Sequence, residues 1–332
     1  MTKWGIIGLG GMANRFADAI KELKDTKIIA VASLSTKKSK EIIEKFKINE
    51  DCYFNNYEDL LKINEIDAIY ISTLNNSHAK LIVDSARANK KILCEKPMTL
   101  NSQESKTVFK IIKDLDIFFL EAFAYRAHPQ TKNLCQIIKN GEIGEVSKVE
   151  SSFGYFVKKI NPKSRIFNKD LGGGAILDVG CYTTSFALLI AKTLGIKNIS
   201  NFKLENIRGS ICETGVDEVA YADLIFSDHL KASINTSIRK QMENTCIVHG
   251  SKGKIILSSP WLPEKKSFLE IHCKNSYYKK FSSSELSVYA SQIDLFIKKS
   301  LDKNINLFNT LMTNEESLTN MRIIDDWKKG IS

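Results

Sequence analysis

The sequence predicts an α/β protein with two domains. Over residues 1–122, apolar runs alternate with amphipathic helical segments, which is typical of a parallel sheet covered by helices on both faces. A glycine turn separates the first apolar run from the first helix. Over residues 123–332, polar and apolar residues alternate, which predicts an α+β domain with a large, mostly antiparallel open sheet. A chain of 332 residues is long enough for two such cores.

The first domain is predicted as a series of strand-helix units. The run KWGIIG reads as a strand, and the helical pattern at 15–23 places its apolar side chains on one face. Four more units follow: IIAVAS with a helix at 37–47, AIYIST with 77–88, KILCE with 102–114, and IFFLEAF with 129–138.

The second domain is predicted from segments such as SKVESSFGYFV, EVAYADLIFS, LKASINTSI and NTCIVHG. Their alternation favours antiparallel strands with one solvated face. One long apolar helix is predicted at 175–194, and a helical tail at 287–330 is expected to pack back across the first domain.

Composition excludes several classes of protein. No eighteen apolar residues run together, so we expect neither a signal peptide nor a membrane span, and we expect a cytoplasmic protein. The formal charge is +10, but the lysines are spread among acidic residues, which favours a solvated surface over nucleic-acid binding. Seven cysteines without a C-x-x-C pair predict reduced, mostly buried thiols and no zinc site.

The segment GLGGMA lies between the first strand and the first helix. Gly8 suits a tight turn, Gly10 lets the backbone approach a pyrophosphate, and Ala13 allows close packing of helix and strand. Gly11 and Met12 complete the turn, and the helix N-terminus offers N–H groups to a diphosphate. A bare turn is the alternative, but the repeated strand-helix units favour a Rossmann dinucleotide-binding domain.

The end of the second strand predicts which dinucleotide is bound. An NAD enzyme usually has a carboxylate here, whereas this chain has Ser33, Ser35, Lys37 and Lys38. Hydroxyl and ammonium groups would accept a 2′-phosphate, so we predict a preference for NADP over NAD, with NAD(H) still possible. The alternative is that the lysines simply coat a surface helix.

The segment ILCEKPM ends an apolar strand at Glu95 and Lys96. Ligands bind beyond the carboxyl ends of strands in open α/β sheets, so Lys96 is predicted at the mouth of the cofactor cleft with Glu95 beside it. Pro97 fixes the backbone and suits a sharp turn, with a cis peptide bond as one way to make it. A solvated turn lysine is the alternative interpretation.

The segment ISTLNNSHAK places polar side chains after another strand. Thr73, Asn75 and His78 are predicted to lie where the ribose and nicotinamide would pass. Ser77 is interpreted as the N-cap of the following helix.

These motifs together resemble the Gfo/Idh/MocA family of nicotinamide-dependent oxidoreductases. GLGGMA, ISTLNNSH, LCEKP, EAFAYRAHPQ and LGGGAILDVGCY occur in the family's order, and the resemblance covers nearly the whole chain. The last two resemble most closely the branch of dimeric dihydrodiol dehydrogenase and NADP-dependent xylose dehydrogenase.

The resemblance implies three catalytic residues. Lys96 matches the lysine of the E-K-P motif, and Asp178 matches the aspartate of the D-x-G-x-H element. Tyr182 stands where that element usually has histidine, as in the dihydrodiol dehydrogenase branch, and is assigned as proton donor and acceptor. We expect the Lys96 ammonium to lower the pKa of the Tyr182 phenol. A core tyrosine on a helix face is the alternative.

The resemblance also implies substrate-side residues. Tyr125, Arg126 and His128 lie in the segment similar to the family's Y-R-x-H-P-Q, and Arg165 and Phe167 match positions of the same branch. The alternative for Arg126 and His128 is that they join the two domains through hydrogen bonds.

The expected function is therefore an NADP(H)-preferring dehydrogenase or reductase acting on the CH–OH group of a sugar, polyol or related compound. The resemblance implies a homodimer or higher homo-oligomer formed through the open face of the second sheet. No nucleic-acid or membrane partner is expected. A catalytically silent NAD(P)-binding regulator or scaffold of the same fold is the alternative.

Overall fold

The computed structural model describes residues 1–34, 39–227, 230–274, 276–302 and 310–331. Its first sheet is entirely parallel, with strand order β3-β2-β1-β4-β5-β6. This confirms the predicted parallel sheet. The strands are β1 (Thr2–Ile7), β2 (Thr26–Ala32), β3 (Tyr53–Phe54), β4 (Ala68–Ile71), β5 (Lys91–Cys94) and β6 (Phe119–Glu121).

Helices connect these strands. Two of them begin earlier than predicted: α1 starts at Gly11, directly after the glycine turn, and α4 starts at Asn75. The interpretation of Ser77 as an N-cap is therefore wrong, because its hydroxyl lies in the first turn and donates to the Leu74 carbonyl oxygen at 2.8 Å. The helices are α1 (Gly11–Ile20), α2 (Ser39–Phe46), α3 (Tyr57–Leu61), α4 (Asn75–Arg87) and α5 (Ser102–Asp114).

An aromatic cluster packs α1 onto the first sheet. Phe16 of α1 stacks on Tyr70 of β4 with ring centroids 4.1 Å apart, and meets Trp4 of β1 edge-on at 5.1 Å. All three side chains are buried, with exposed fractions of 3% or less. This contact fixes the helix that follows the glycine turn against the strands on which the cleft is built.

The second sheet has eight strands in the order β14-β13-β12-β11-β7-β10-β9-β8. All neighbouring pairs are antiparallel except β7 with β10, which confirms a large, mostly antiparallel sheet. Helix α6 (Pro129–Lys139) precedes it. The strands are β7 (Val146–Gly154), β8 (Lys203–Ile211), β9 (Asp217–Ser227), β10 (Leu230–Ser237), β11 (Cys246–Gly250), β12 (Gly253–Leu257), β13 (Lys266–Cys273) and β14 (Ser276–Ser283).

The predicted apolar helix at 175–194 has two parts. It begins as a π-helical turn, Ile176–Gly180, and continues as α7 (Cys181–Thr193). The carboxylate of Asp217 accepts the Ile176 N–H at 2.6 Å and so caps the start of the turn. The segment Lys169–Thr193 is long and apolar enough to cross a membrane. However, 94% of its most apolar 18 residues are buried inside the protein, as in the core helix of a globular protein.

The C-terminal helices lie against the first sheet and its helices. Helix α8 (Val288–Leu301) places Phe296 next to Trp4, with ring centroids 5.0 Å apart. Helix α9 (Asn314–Ile331) packs along α5, where the Ser102 N–H donates to an Asp325 carboxylate oxygen at 2.8 Å. The chain therefore returns to its N-terminal half after the second sheet is complete. The boundary at residue 122 stays a prediction.

The seven cysteines are all free thiols, and five of them are buried. This agrees with the expectation of unpaired, mostly buried thiols. Among the described residues, no group of three or more His, Cys, Asp or Glu side chains is placed to hold a metal ion.

Candidate active site

The glycine turn presents bare backbone to open space. Gly8 has φ of +87°, and a side chain there would meet the backbone of Ser72 at 2.9 Å, so only glycine fits. Among the described residues, nothing lies within 4 Å of a Cβ at Gly10 or Gly11. The N-terminus of α1 has no side-chain cap and no acidic residue in its first turn. These features fit a bound diphosphate, because its oxygens can accept the N–H groups of that turn.

The turn lines a cleft of about 770 Å³, to which Phe153 of the second sheet also contributes. Ala13 is buried behind the turn. Ser35, Lys37 and Lys38 lie outside the described residues. The predicted site residues that line the cleft are Gly8, Gly10, Gly11, Met12, Ser33, Thr73, Asn75, His78, Glu95, Lys96, Arg165, Asp178 and Tyr182.

The loop after β4 is held by hydrogen bonds across the cleft. The Asn75 amide donates to the Gly172 carbonyl oxygen at 3.0 Å, which ties this loop to the second half of the chain. The His78 ring is fully buried and lies 2.9 Å from the Pro97 carbonyl oxygen and 3.3 Å from that of Thr73. Burial lowers the pKa of His78 to about 4, so at neutral pH the uncharged ring has a single N–H and donates to only one of these two carbonyl oxygens.

Lys96 lies against the catalytic candidate Tyr182. The Lys96–Pro97 peptide bond is cis. The Lys96 ammonium donates to the main-chain carbonyl oxygen of Asp178 at 2.6 Å and lies over the face of the Tyr182 ring, 4.9 Å from its centroid. The residues assigned from the E-K-P and D-x-G-x-H motifs therefore meet at one place.

The expectation that Lys96 lowers the pKa of Tyr182 is wrong for this arrangement. Burial raises the pKa of Tyr182 well above its ordinary value, and the nearby Glu95 carboxylate raises it further. The ammonium faces the ring rather than the phenol oxygen, so its charge does not offset burial. Tyr182 is therefore a protonated phenol at neutral pH.

Glu95 is turned toward the first sheet. Its carboxylate is only 8% exposed and accepts the Tyr70 hydroxyl at 2.6 Å. Burial raises the pKa of Glu95, although the Tyr70 hydrogen bond and the Lys96 ammonium oppose that effect. The hydrogen bond from Tyr70 thus holds the Glu95 side chain against strand β4 at the edge of the cleft.

Both carboxylate oxygens of Asp178 are engaged. One accepts the Arg165 guanidinium at 2.7 Å, and the other accepts the Tyr155 hydroxyl. Burial alone would raise the pKa of Asp178, but the charges of Lys96 and Arg165 and the bond from Tyr155 outweigh it and lower the pKa. Asp178 is therefore an ionised anchor for three neighbouring side chains.

Comparison with known proteins gives the same family for both parts of the chain. Residues 2–122 match the oxidoreductase family with an NAD-binding Rossmann fold, GFO/IDH/MocA, and residues 131–256 match the GFO/IDH/MocA C-terminal domain. The chain belongs to the GFO/IDH/MocA oxidoreductase family. It is 30% identical over 267 residues to trans-1,2-dihydrobenzene-1,2-diol dehydrogenase of Xenopus laevis, covering 79% of this chain and 77% of that protein. The human enzyme of that name is 28% identical over 264 residues, covering 79% and 76%.

Solved structures of other proteins share the whole fold. A 3-ketoreductase from Actinomadura kijaniata, solved in complex with NADP and TDP-benzene, superposes with a TM-score of 0.86 at 22% identity and covers 99% of this chain and 98% of its own. An aldose-aldose oxidoreductase from Caulobacter crescentus gives 0.84 at 19% identity, with 99% and 96% covered. The predicted fold class is thereby confirmed.

The substrate-side prediction does not fit three residues of the family's Y-R-x-H-P-Q segment. Tyr125, Arg126 and His128 are at most 1% exposed and do not line the cleft. Arg126 forms a buried ion pair with Glu316 at 2.7 Å, and His128 caps α6 by accepting the Gln130 N–H at 3.1 Å. Arg126 and His128 therefore make structural contacts within residues 123–332, and these contacts do not join the two predicted domains.

Phe167 is also placed away from the cleft. Its side chain is 1% exposed and packs in a small apolar cluster with Cys212, Val216 and Ile238. The resemblance to the family implies that Phe167 lies on the substrate side of the cleft. In the structure, its side chain points into the core instead. Phe167 is a packing residue in this structure.

Four cleft residues were missed from the sequence. Arg15 follows the glycine turn on α1 and donates to the Tyr289 hydroxyl of α8 at 2.8 Å, and Tyr57 and Tyr155 also line the cleft. The position of Arg15 one turn into a dinucleotide-binding helix is a signal that could have identified it. The tyrosines reach the cleft from distant segments, and the local sequence does not indicate that.

Proposed function

We propose that this protein is an NADP-preferring oxidoreductase that transfers a hydride between nicotinamide C4 and a sugar, polyol or related hydroxy or keto compound. One observation carries the proposal: the bare glycine turn and the Lys96–Tyr182 pair line one and the same cleft. A dinucleotide on the turn would extend toward that pair, because ligands of such sheets bind across the carboxyl ends of the strands.

The preference for NADP is supported by the end of β2. Ser33 lines the cleft there, where a carboxylate would repel a 2′-phosphate. Lys37 and Lys38, which lie outside the described residues, follow Ser33 closely in the sequence. The NADP-bound 3-ketoreductase is consistent with this preference.

The bound cofactor would supply or accept the hydride, and the chain's own residues handle the proton. Tyr182 carries its proton at neutral pH because burial raises its pKa, so it is suited to donate that proton to a substrate oxygen as a carbonyl is reduced. Lys96, held by the Asp178 carbonyl, places a positive charge where negative charge develops on that oxygen. This arrangement favours reduction at neutral pH and oxidation at higher pH.

The proposed substrates carry a reacting CH–OH or C=O group flanked by other oxygens. The names of the relatives support this range, since they include a dihydrodiol dehydrogenase, a 3-ketoreductase and an aldose-aldose oxidoreductase. The polar groups of Lys96, Arg165 and Tyr155 line the same part of the cleft.

We also propose a cytoplasmic homo-oligomer that pairs through the open face of the second sheet. Helices α6, α7 and α9 pack on the second sheet. Side chains of the same sheet line a polar groove, among them Glu150, Arg208, Tyr221 and Asp223. Light scattering of the purified protein tests the proposal. A monomer at micromolar concentration would contradict it.

The deciding experiment is a substrate panel of aldoses, polyols, cyclic diols and their ketones, with NADP(H) and NAD(H), followed at the nicotinamide absorbance. Wild type is expected to use NADP(H) better than NAD(H). Lys96→Ala and Tyr182→Phe are each expected to lose at least about 100-fold in turnover while still binding NADPH. Fully active Tyr182→Phe enzyme would remove the proton-transfer role, and tight NADPH binding without turnover would favour the regulator.

A further inference from the structure

Leu262 is a large apolar side chain that is exposed in the cleft. It lies in the loop 258–265 between β12 and β13, lines the cleft and is 48% exposed. Its neighbours in the chain, Pro260, Trp261 and Pro263, are all buried. The loop therefore turns one leucine outward between buried residues, which leaves apolar surface in water at a cost in free energy.

Hydrogen bonds hold this loop in place, so the exposure of Leu262 does not come from a loose chain. The Trp261 indole N–H donates to the Ser152 carbonyl oxygen at 3.0 Å, and the Gln130 amide donates to the Ser259 carbonyl oxygen at 3.3 Å. A proline on each side of the Trp-Leu pair restricts the backbone further. Because the backbone is already fixed, less conformational entropy is lost when a ligand covers the leucine.

The aromatic rings beside Leu262 connect it to the reaction centre. Phe153 of β7 lines the cleft and stacks on the Trp261 ring, with centroids 5.5 Å apart and an angle of 9° between the planes. The Tyr182 ring meets Phe153 edge-on at 5.2 Å and Trp261 at 5.7 Å. Leu262 is the next residue after Trp261 and lines the same cleft. Phe153 and Leu262 therefore place apolar surface near the proposed proton donor.

The origin of Leu262 separates it from the apolar side chains that would face the cofactor. Two other exposed leucines line the cleft, and both lie in loops of the first sheet: Leu34 follows β2, and Leu74 follows β4. A dinucleotide is expected along the carboxyl ends of those strands. Leu262 comes from the second sheet instead, so the substrate is the molecule that would cover it.

The chemistry of a leucine side chain limits which group it can bind. It offers no donor and no acceptor, so a hydroxyl or a charged group placed against it would lose water without gaining a hydrogen bond. A methyl or methylene group gains free energy on leaving water, and each such group changes a binding constant several-fold. Leu262 thus favours a hydrocarbon group.

We propose that Leu262 is a specificity-determining residue that binds a hydrocarbon group of the substrate. It sets how well compounds of different alkyl content are used, whereas the Lys96–Tyr182 pair acts on the reacting oxygen. This inference rests on the proposed oxidoreductase function.

The test follows the reduction, by wild type and Leu262→Ala with NADPH, of hydroxyacetone and its straight-chain homologues with four, five and six carbon atoms. These compounds share the reacting carbonyl and its neighbouring hydroxyl and differ only in alkyl length. Wild-type kcat/KM is expected to rise about threefold for each added methylene. Leu262→Ala is expected to lose about tenfold on the longest compound, mainly through KM, and to be unchanged on hydroxyacetone.

Leu115→Ala is the matched control. Leu115 is 45% exposed, follows α5 and does not line the cleft. This variant is expected to behave as wild type on every compound. Leu262→Met keeps an apolar side chain of similar volume and is expected to retain the preference for longer chains. Equal losses on all compounds in Leu262→Ala, or a wild type that is indifferent to chain length, would overturn the proposal.

A binding measurement separates this inference from the proposed function. The purified protein, with NADPH added, is titrated with each compound in a calorimeter. Binding that tightens with chain length in wild type but not in Leu262→Ala supports the role of Leu262 even if nothing is turned over, in which case the oxidoreductase proposal alone fails. Wild-type binding that does not depend on chain length overturns that role. Weaker NADPH binding by Leu262→Ala also overturns it, because the leucine would then face the cofactor.

Discussion

Buried carboxylates near the cleft are held in different protonation states by their neighbours. Asp178 has cations on both sides and stays ionised. Glu121, 2% exposed at the end of β6, accepts the Met98 N–H at 2.9 Å and so ties β6 to the segment that follows Lys96. Burial raises the pKa of Glu121 to about 7. The neighbouring charges thus decide whether a buried carboxyl group near the cleft is ionised, as in Asp178, or has a raised pKa, as in Glu121.

Replacing Glu121 should change how stability depends on pH. The folded protein keeps the Glu121 proton up to about pH 7, whereas the unfolded chain releases it near the ordinary value of 4.5. The folded state therefore binds more protons in this range, and Glu121 makes the wild type less stable as pH rises. Relative to wild type, Glu121→Gln is expected to gain roughly 3 kcal/mol of unfolding free energy between pH 4.5 and 7.

Urea unfolding of both proteins at several pH values measures this effect. The difference in unfolding free energy should level off below pH 4.5. A difference that stays constant from pH 4 to pH 8 would show that the Glu121 carboxyl does not titrate between the two states as expected.

The segment before α7 shows how one element positions the site. Gly174 has φ of +110°, and its backbone passes so close to Asp217 that a Cβ would lie 2.3 Å from a carboxylate oxygen. Asp217 in turn caps the π-helical turn that carries Asp178. The glycine run is therefore required by a close approach within the second domain, and the cleft geometry depends on it.

Gly174→Ala is expected to destabilise the protein by about 2–3 kcal/mol, because the new side chain meets both a disfavoured φ and the Asp217 carboxylate. The control is Gly141→Ala, with φ of +69° and no described residue within 4 Å of the added Cβ, where a loss of about 1 kcal/mol is expected. Chemical denaturation measures both. Equal losses would mean that the contact with Asp217 relaxes without cost.

At the scale of the whole molecule, a buried ion pair joins distant parts of the chain. Arg126 follows β6, and Glu316 lies on α9, 190 residues later; their charged groups are 2.7 Å apart and at most 1% exposed. Lys192 of α7 reaches the other carboxylate oxygen at 2.8 Å. The ion pairs therefore join the C-terminal helix α9 to the segment after β6 and to α7.

Glu316→Gln should reveal the strength of this link. Burial would raise the pKa of Glu316, but Arg126 and Lys192 outweigh it and lower the pKa to about 2. The carboxylate then contributes stability that is fully present above pH 4.5 and is lost as pH falls toward 2. The variant is expected to lose about 3 kcal/mol at pH 7 and progressively less in acid. Thermal or urea unfolding across this range measures the loss. A loss near zero at pH 7, or one that does not change with pH, would contradict the expected effect of the two cations on Glu316.

The parts of the structure that could be predicted are those set by local sequence. The strand-helix units, the glycine turn and the meeting of Lys96 with Asp178 and Tyr182 follow from periodicity and from motifs. The role of Arg126 could not be read in this way, because its partner Glu316 is remote in sequence. Tyr155 was missed for the same reason, since only the fold brings it to Asp178.

The π-helical turn Ile176–Gly180 also limits how the length of this segment can vary. Such a turn holds one residue more than an α-helical turn, and each residue of an α-helix rotates the chain by about 100°. Deleting Val179 would therefore swing Asp178 away from Lys96 even though every named side chain remained. A relative that lacks one residue at this place would therefore be expected to hold the lysine equivalent to Lys96 through a different hydrogen-bond acceptor.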